Sequence, residues 1–176
     1  MVDINAERLA FAKSYVATDT FLPPAPLAGE KRPDHSQRSA ELLLSSLGLS
    51  DTGLDGIDLV IEASGAESCV QMGLHALKAN GRFIQVGMGA PDIVIPAFLI
   101  VTKELVFKGS FRYGPGVYDL AISLVSQGKI DLKPLLTHRY SFEDAVNAFE
   151  HTKAGKGADG RGVIKAMIAG PNKVTV

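Results

Sequence analysis

The sequence predicts an α/β fold built on a doubly wound parallel sheet. Short apolar segments typical of buried strands alternate with segments whose apolar residues recur at helical spacing. Turn residues such as Asn80 and Gly81 separate the two kinds of segment. Alternation at this spacing requires crossover connections, so we expect parallel strands with helices on both faces of the sheet.

The individual elements follow from local signals. The predicted strands are short and mostly apolar, and they span residues 2–4, 16–21, 57–61, 82–86, 105–111 and 162–168. Each predicted helix has a capping signal, an apolar stripe or both. The predicted helices span residues 6–13, 40–47, 64–77, 117–125 and 141–149. Asn5 is the expected cap of the first helix, and Ser64 and Ser141 each open a segment with capping-box spacing. Four prolines between residues 22 and 34 predict an extended loop.

Composition narrows the class of protein. Of the 176 residues, 46% are apolar and 21% are charged, which is typical of a globular domain. The formal net charge is -1 and no basic stripe is present, so we expect neither a nucleic-acid partner nor a membrane surface. Cys69 is the single cysteine, which suits a reducing compartment, and the first residues do not read as a signal peptide. The expected location is the cytosol.

Asp3 is the first candidate for ligand binding. It ends a predicted strand just before a helix, where an acidic side chain can accept hydrogen bonds from the adenosine ribose and disfavour a 2′-phosphate. Arg8 follows one helical turn later and could lie along the adenine. Capping of the helix by Asp3 is the alternative explanation.

Three further candidates follow strands, where ligands of open parallel sheets bind. Glycines in the segments 63–65 and 86–89 would let backbone amides approach a flat ring, although an ordinary glycine turn explains each segment better when it is taken alone. The segment 111–113 places an arginine and a tyrosine after an apolar strand. They could bind a phosphate, a carboxamide or a sugar hydroxyl, or be no more than a surface arginine beside a half-buried tyrosine.

Two other sequence patterns do not indicate a ligand or metal site. Residues 155–160 match the dinucleotide-binding pattern G-x-G-x-x-G, but they follow a predicted helix and precede a strand, so we predict a flexible loop there. The four histidines do not combine with Cys69 into a metal-ligand pattern, and Cys69 is expected to be a packing residue.

Several segments, at residues 2–13, 58–66, 81–88, 108–113 and 134–149, resemble the zinc-dependent medium-chain dehydrogenases. The run from Phe111 to Tyr113 is similar to the polyol branch, which includes sorbitol and xylitol dehydrogenases. The proline-rich insertion at 22–38 resembles that of the fungal xylitol dehydrogenases (D-xylulose reductases). The resemblance covers residues 2–168 and implies a Rossmann-like fold, NAD as cofactor, zinc-assisted oxidation of a polyol to a ketose, and a homo-oligomer for the full-length enzyme.

The resemblance also implies roles for single positions. The implied contacts are Asp3 and Arg8 with the adenosine, Val86, Gly87 and Met88 with the nicotinamide side, Ser110, Phe111 and Arg112 with the cofactor, and Arg112 and Tyr113 with the polyol. The family's catalytic zinc ligands lie in an N-terminal domain, so neither a catalytic residue nor a metal ligand is expected within this chain. We expect the chain alone to be inactive.

The first strand of the family fold and its glycine-rich turn have no counterpart in the sequence. The predicted organisation is therefore an incomplete NAD-binding domain at residues 1–169 followed by a tail at 170–176. Three alternatives stay open at this point. The chain could be a non-catalytic nucleotide-binding or interaction module, a Rossmann-like methyltransferase with an acidic residue at the same strand end, or a degraded gene product.

Overall fold

Residues 1–171, the part of the chain that the computed structural model describes, contain six α-helices, five β-strands and a short 3-10 helix at Lys133–Leu135. The helices are α1 (Ala6–Tyr15), α2 (Arg32–Leu47), α3 (Glu67–Ala76), α4 (Ala97–Thr102), α5 (Val117–Ser126) and α6 (Ala145–Ala154). The strands are β1 (Ile57–Glu62), β2 (Leu77–Gln85), β3 (Val106–Gly109), β4 (Leu136–Tyr140) and β5 (Lys165–Ile168). Of the tail predicted at 170–176, residues 172–176 lie outside the described part.

The chain divides into two units. The central unit contains residue 2 and residues 21–112. The terminal unit contains residue 1, residues 3–20 and the described residues from 113 onward. The organisation as one domain over 1–169 stays a prediction.

The central unit holds a three-stranded sheet in the order β1-β2-β3, with β2 in the middle. Both pairs of neighbouring strands are parallel, which confirms the predicted sheet type. The turn predicted at Asn80 is absorbed into β2, where Asn80 adopts φ 59° and the pairing with β1 shifts between Ile57 and Leu59.

The core of the central unit forms where α3 packs on the sheet. Its buried residues are Val70, Leu74, Leu77, Phe83 and Leu105, and the ring of Phe83 stacks on that of Phe107 at 4.9 Å. A second buried cluster joins α2 to α3. Most of the helical stripe predicted on α2 is confirmed, because Ala40, Leu43 and Leu44 are buried, whereas Leu47 at the end of the helix is 37% exposed.

Three local predictions are wrong, and they concern two short strands, the end of the proline-rich loop and one capping box. The strands predicted at 2–4 and 16–21 reduce to one parallel bridge between Val2 and Phe21. The loop predicted through residue 34 ends earlier, because a proline is tolerated in the first turn and α2 begins at Arg32. The capping box at Ser64 is also wrong: Ala66 is the N-cap of α3, and the Ser64 hydroxyl donates to the Glu62 carboxylate.

The terminal unit contains a second parallel pair, β4 with β5, and α6 packs against β5. Asn5 caps α1 as predicted, because its side chain accepts from the Arg8 N–H at 3.0 Å. The apolar stripe predicted on α5 forms, but within the described residues none of its side chains is buried. None of the helices described here is long and apolar enough to cross a membrane.

Candidate functional site

The loops that follow the three central strands lie side by side, because parallel strands end at the same edge of a sheet. In the pairing register Glu62 lies opposite Gln85, and Gln85 lies opposite Gly109. The loops at 63–66, 86–89 and 110–112 therefore leave the sheet from neighbouring positions. We call the first two the paired loops. This edge is where open parallel sheets bind ligands.

The paired loops cross each other at backbone distance. A Cβ on Gly87 would lie 2.1 Å from the Gly65 nitrogen, and a Cβ on Gly89 would lie 1.8 Å from the Gly65 oxygen. Gly65 also adopts φ 74°, in the left-handed region that favours glycine. Contact between the two loops is thus a sufficient reason for all three glycines, independent of any ligand.

The outer side of the second loop is open. Met88 is 78% exposed, and Val86 is 44% exposed. The Val86 and Gly87 N–H groups both donate to the Glu62 carbonyl at 2.8 Å, whereas the hydrogen bonds found among the described residues do not use the Met88 N–H. This backbone donor is free to bind a polar ligand group such as a carboxamide oxygen.

A cavity of about 470 Å³ adjoins the crossing point. Its lining includes Ser64 and Gly65 from the first loop, Gly89 from the second, and Arg32 from α2. Its size falls within the range of small-molecule sites. The central unit therefore has room for part of a ligand next to the paired loops.

The third loop carries the predicted Ser110, Phe111 and Arg112. The Ser110 N–H donates to the Gln85 carbonyl at 2.8 Å, which fixes the start of this loop to the end of β2. The Arg112 guanidinium lies over the Phe111 ring, 4.9 Å from its centroid. Arg112 also adopts φ 57°, a strained backbone conformation for a residue with a side chain and one that occurs frequently at ligand sites.

The other predicted site residues belong to the terminal unit. One Asp3 carboxylate oxygen accepts from the Asn5 N–H at 2.8 Å, and the other lies 3.9 Å from the Arg8 guanidinium. Since Asn5 makes the cap, Asp3 does not cap α1 directly, and one of its oxygens keeps capacity for a further donor. Tyr113 is mostly exposed, and its ring meets Tyr118 edge-on at 5.0 Å.

Two residues that sequence reasoning did not single out connect the paired loops. Glu62 is buried at 5% exposure, and its carboxylate accepts from Ser64, Gly65 and Gln85. The Gln85 amide donates to Glu62 and to the Gly87 carbonyl, both at 2.7 Å. The sequence contains a signal for these two residues, because each of two neighbouring apolar strands ends in a polar residue. The two polar residues lie at positions that pair with each other.

The remaining motifs do not add to this site. The segment 155–160 lies between α6 and β5, and Gly155 ends the helix in the left-handed conformation, so its interpretation as a loop is confirmed. Cys69 is a half-buried free thiol. Within residues 1–171, no group of three or more histidine, cysteine or acidic side chains is arranged to hold a metal ion.

Comparison with known proteins identifies related sequences. The profile of a family described as zinc-binding dehydrogenase matches residues 1–127. D-xylulose reductase A of Aspergillus niger is 47% identical over 169 residues, which cover 96% of this chain and 42% of that protein. The chain therefore spans less than half the length of the curated relatives it matches.

Comparison with solved structures identifies proteins of similar fold. L-idonate 5-dehydrogenase of Escherichia coli K-12 superposes with a TM-score of 0.67 at 25% identity, covering 96% of this chain and 42% of that one. A Sinorhizobium meliloti protein classed with the zinc-binding dehydrogenases, solved bound to NADP, superposes with a TM-score of 0.70 at 25% identity, covering 96% and 44%. The predicted Rossmann-like α/β class is confirmed by these neighbours together with the parallel sheets.

Proposed function

Because the chain belongs to the zinc-binding dehydrogenase family, we propose that it forms the nicotinamide-dinucleotide-binding part of a polyol dehydrogenase. The proposed reaction is oxidation of a secondary alcohol to a ketose, with xylitol to D-xylulose as the first candidate and sorbitol to fructose as the second. The observation that carries this proposal is the 47% identity with D-xylulose reductase A over 96% of the chain. The family assignment favours a dehydrogenase over a methyltransferase.

The central unit offers groups suited to the nicotinamide end of the cofactor. The free Met88 N–H is a donor for a carboxamide, and the exposed side chains of Val86 and Met88 offer apolar surface to a ring. Phe111 and Arg112 present a stacked pair on the neighbouring loop. We propose that Val86, Gly87, Met88 and Ser110–Arg112 hold this end of the cofactor, and that Arg112 and Tyr113 bind the polyol hydroxyls.

Bound NAD supplies the hydride acceptor for such a reaction. The proposed role of the residues of this chain is to bind and orient it. A zinc ion does not fit the described residues, since no cluster of three potential ligands occurs among them. We therefore assign no step of the reaction to a metal held by this chain.

We propose that Asp3 sets a preference for NAD over NADP. Its carboxylate has one oxygen with remaining acceptor capacity, suited to a ribose hydroxyl, whereas a 2′-phosphate would place negative charge beside it. Repulsion of this kind costs on the order of 1–3 kcal/mol, or several-fold to hundreds-fold in affinity. Arg8 beside it is the proposed contact of the adenine.

Titration of the chain with NADH and NADPH tests the cofactor proposal directly, with nucleotide fluorescence as the readout. We expect tighter binding of NADH, and Asp3→Ser should narrow the difference between the two. Asp19→Ser is the matched control, because Asp19 lies in the same unit and is paired with Lys13 instead of a site residue. Equal affinity of the unaltered chain for both nucleotides would show that Asp3 has no selective role.

The polyol proposal needs the rest of the protein. A chimera can supply the part of Aspergillus niger D-xylulose reductase A outside the matched region, joined to this chain. We expect NADH formation with xylitol, slower formation with sorbitol, and a further loss for either polyol when Arg112 is changed to Ala. For the whole protein we propose a homo-oligomeric cytosolic enzyme with a small-molecule substrate. An active chimera that oxidises primary alcohols but neither polyol would refute the substrate class.

A further inference from the structure

Glu62 is an unusual residue for its position, because it is a buried acid at the end of an apolar strand. It is 5% exposed, and the ion pairs found among residues 1–171 do not include it. A buried carboxylate without a cation is costly unless hydrogen-bond donors surround it. The hydrogen-bond donors around the Glu62 carboxylate therefore show which segments it holds together.

The donors to the Glu62 carboxylate found among the described residues come from the first paired loop and from Gln85, the last residue of β2. One carboxylate oxygen accepts from the Ser64 N–H at 2.8 Å and from the Ser64 hydroxyl. The Gly65 N–H reaches both oxygens, at 3.0 and 2.9 Å. The second oxygen also accepts from the Gln85 amide at 2.7 Å.

Glu62 holds the second loop by two further routes. Its backbone carbonyl accepts from the Val86 and Gly87 N–H groups. The Gln85 amide uses its other hydrogen on the Gly87 carbonyl at 2.7 Å, and its own oxygen is buried without a partner among the described residues. The amide orientation is thus set by donation to Glu62 and Gly87, even at the expense of an unsatisfied acceptor.

We propose that Glu62, acting through Gln85, is the positioning residue that holds the paired loops in the arrangement that binds the dinucleotide. The inference rests on the proposed function, because it takes the open side of the second loop as the cofactor contact. Glu62 itself is buried under the loops and does not touch the ligand. Its role is to fix the Gly65–Gly87 crossing, so that the free Met88 N–H keeps one position relative to the sheet.

The isosteric change Glu62→Gln tests this specifically. The new side chain keeps one acceptor, but its amide group would oppose the donors of Gly65 and Gln85. Gln85 must then rotate, and the Gly87 carbonyl loses its side-chain donor. Gln85→Leu removes the same tether without changing the charge at Glu62, and Glu41→Gln, on the exposed side of α2, is the matched control.

Two readouts separate loop positioning from general stability: the NADH dissociation constant, and residue-resolved amide exchange of Ser64, Gly65 and Gly87. For Glu62→Gln we expect at least a tenfold weaker NADH affinity and faster exchange at Ser64 and Gly65, with cooperative thermal unfolding retained. Gln85→Leu should weaken NADH binding to a smaller extent and affect Gly87 most. Glu41→Gln should change neither readout.

An NADH affinity of Glu62→Gln within twofold of the unaltered chain would overturn the inference. So would unchanged exchange at Ser64 and Gly65. If the unaltered chain binds no NADH, the proposed function fails for this chain and the ligand part of the inference fails with it. Amide exchange then still decides whether Glu62 holds the loops, so the two failures are distinguishable.

Discussion

Replacing Gly87 by alanine should damage the structure far more than the same change at Gly109, although both glycines lie at the ends of neighbouring parallel strands. A Cβ on Gly87 would lie 2.1 Å from the Gly65 nitrogen and 2.6 Å from the Ser64 nitrogen. Both obstacles are backbone atoms, which cannot move aside by a rotamer change. A Cβ on Gly109 meets nothing within 4 Å.

The expected magnitude follows from what the loops must give up. To go from 2.1 Å to an ordinary contact distance of 3.4 Å, the paired loops would have to separate by about 1.3 Å. Overpacking of this kind costs about 1–3 kcal/mol. The separation would also weaken the hydrogen bond from the Gly87 N–H to the Glu62 carbonyl, which joins the two loops, and about 1–2 kcal/mol is a typical loss for such a bond. We expect a total near 3 kcal/mol, which lowers the melting temperature by about 6–12 °C in a chain of this length.

Thermal unfolding of both variants, followed by circular dichroism, is the assay, and NADH titration is the second measurement. Gly109→Ala should unfold within about 1 kcal/mol of the unaltered chain, since it only exchanges glycine for alanine in a strand. Gly87→Ala should unfold earlier and lose most of its NADH affinity. Equal melting temperatures for the two variants would refute the reasoning, because the loop crossing would then not constrain Gly87.

Three further outcomes are expected. Phe83→Ala empties the centre of the buried cluster and should cost about 3–5 kcal/mol in a denaturant titration, whereas Phe98→Ala, at a 77% exposed side chain, should stay within 0.5 kcal/mol, a value typical of surface changes. The side-chain hydrogen bond from Arg38 lowers the pKa of Glu30 from 4.5 to about 2, so the stabilisation from this pair is present above pH 4.5 and is lost as the pH falls towards 2. Glu30→Gln should therefore flatten the acid-unfolding curve in that window, and an unchanged slope would contradict this. The 176-residue chain with xylitol or sorbitol, NAD and added zinc should form no NADH, because its described residues lack a zinc-ligand cluster; chelator-sensitive NADH formation would disprove it.

Local sequence signals were sufficient where the interaction itself is local. The Asn5 cap, the apolar stripe of α2 and the strand at Ile57 were all predictable, because a cap or a periodic stripe depends on neighbours within a few residues. The rejection of the G-x-G-x-x-G pattern at 155–160 was also correct, since it depended only on the order of helix and strand. The parallel sheet followed from the alternation of elements alone.

The same signals failed where burial, or packing by another element, decides what a group contacts. Ser64 has the spacing of a capping residue, yet its hydroxyl donates to the buried Glu62 carboxylate and accepts from the Ala66 N–H in the loop before α3. The stripe of α5 predicted a helix correctly but not its burial, which depends on whether another element packs against it. Both outcomes depend on which residues the tertiary structure buries, and local spacing alone does not determine burial.

The sequence by itself determined the α/β class, the parallel sheet type and the approximate ends of β1 and β2, but it did not predict α4 or β4, and the strand expected before Asp3 is a single bridge. Only the tertiary structure decided why the glycines are there and which residue holds the loops. Gly65 and Gly87 are far apart in the chain, and their contact exists only because β1 and β2 pair in a register that places Glu62 opposite Gln85. Sequence periodicity specifies which face of a strand is apolar, but pairing between distant strands fixes which polar ends meet.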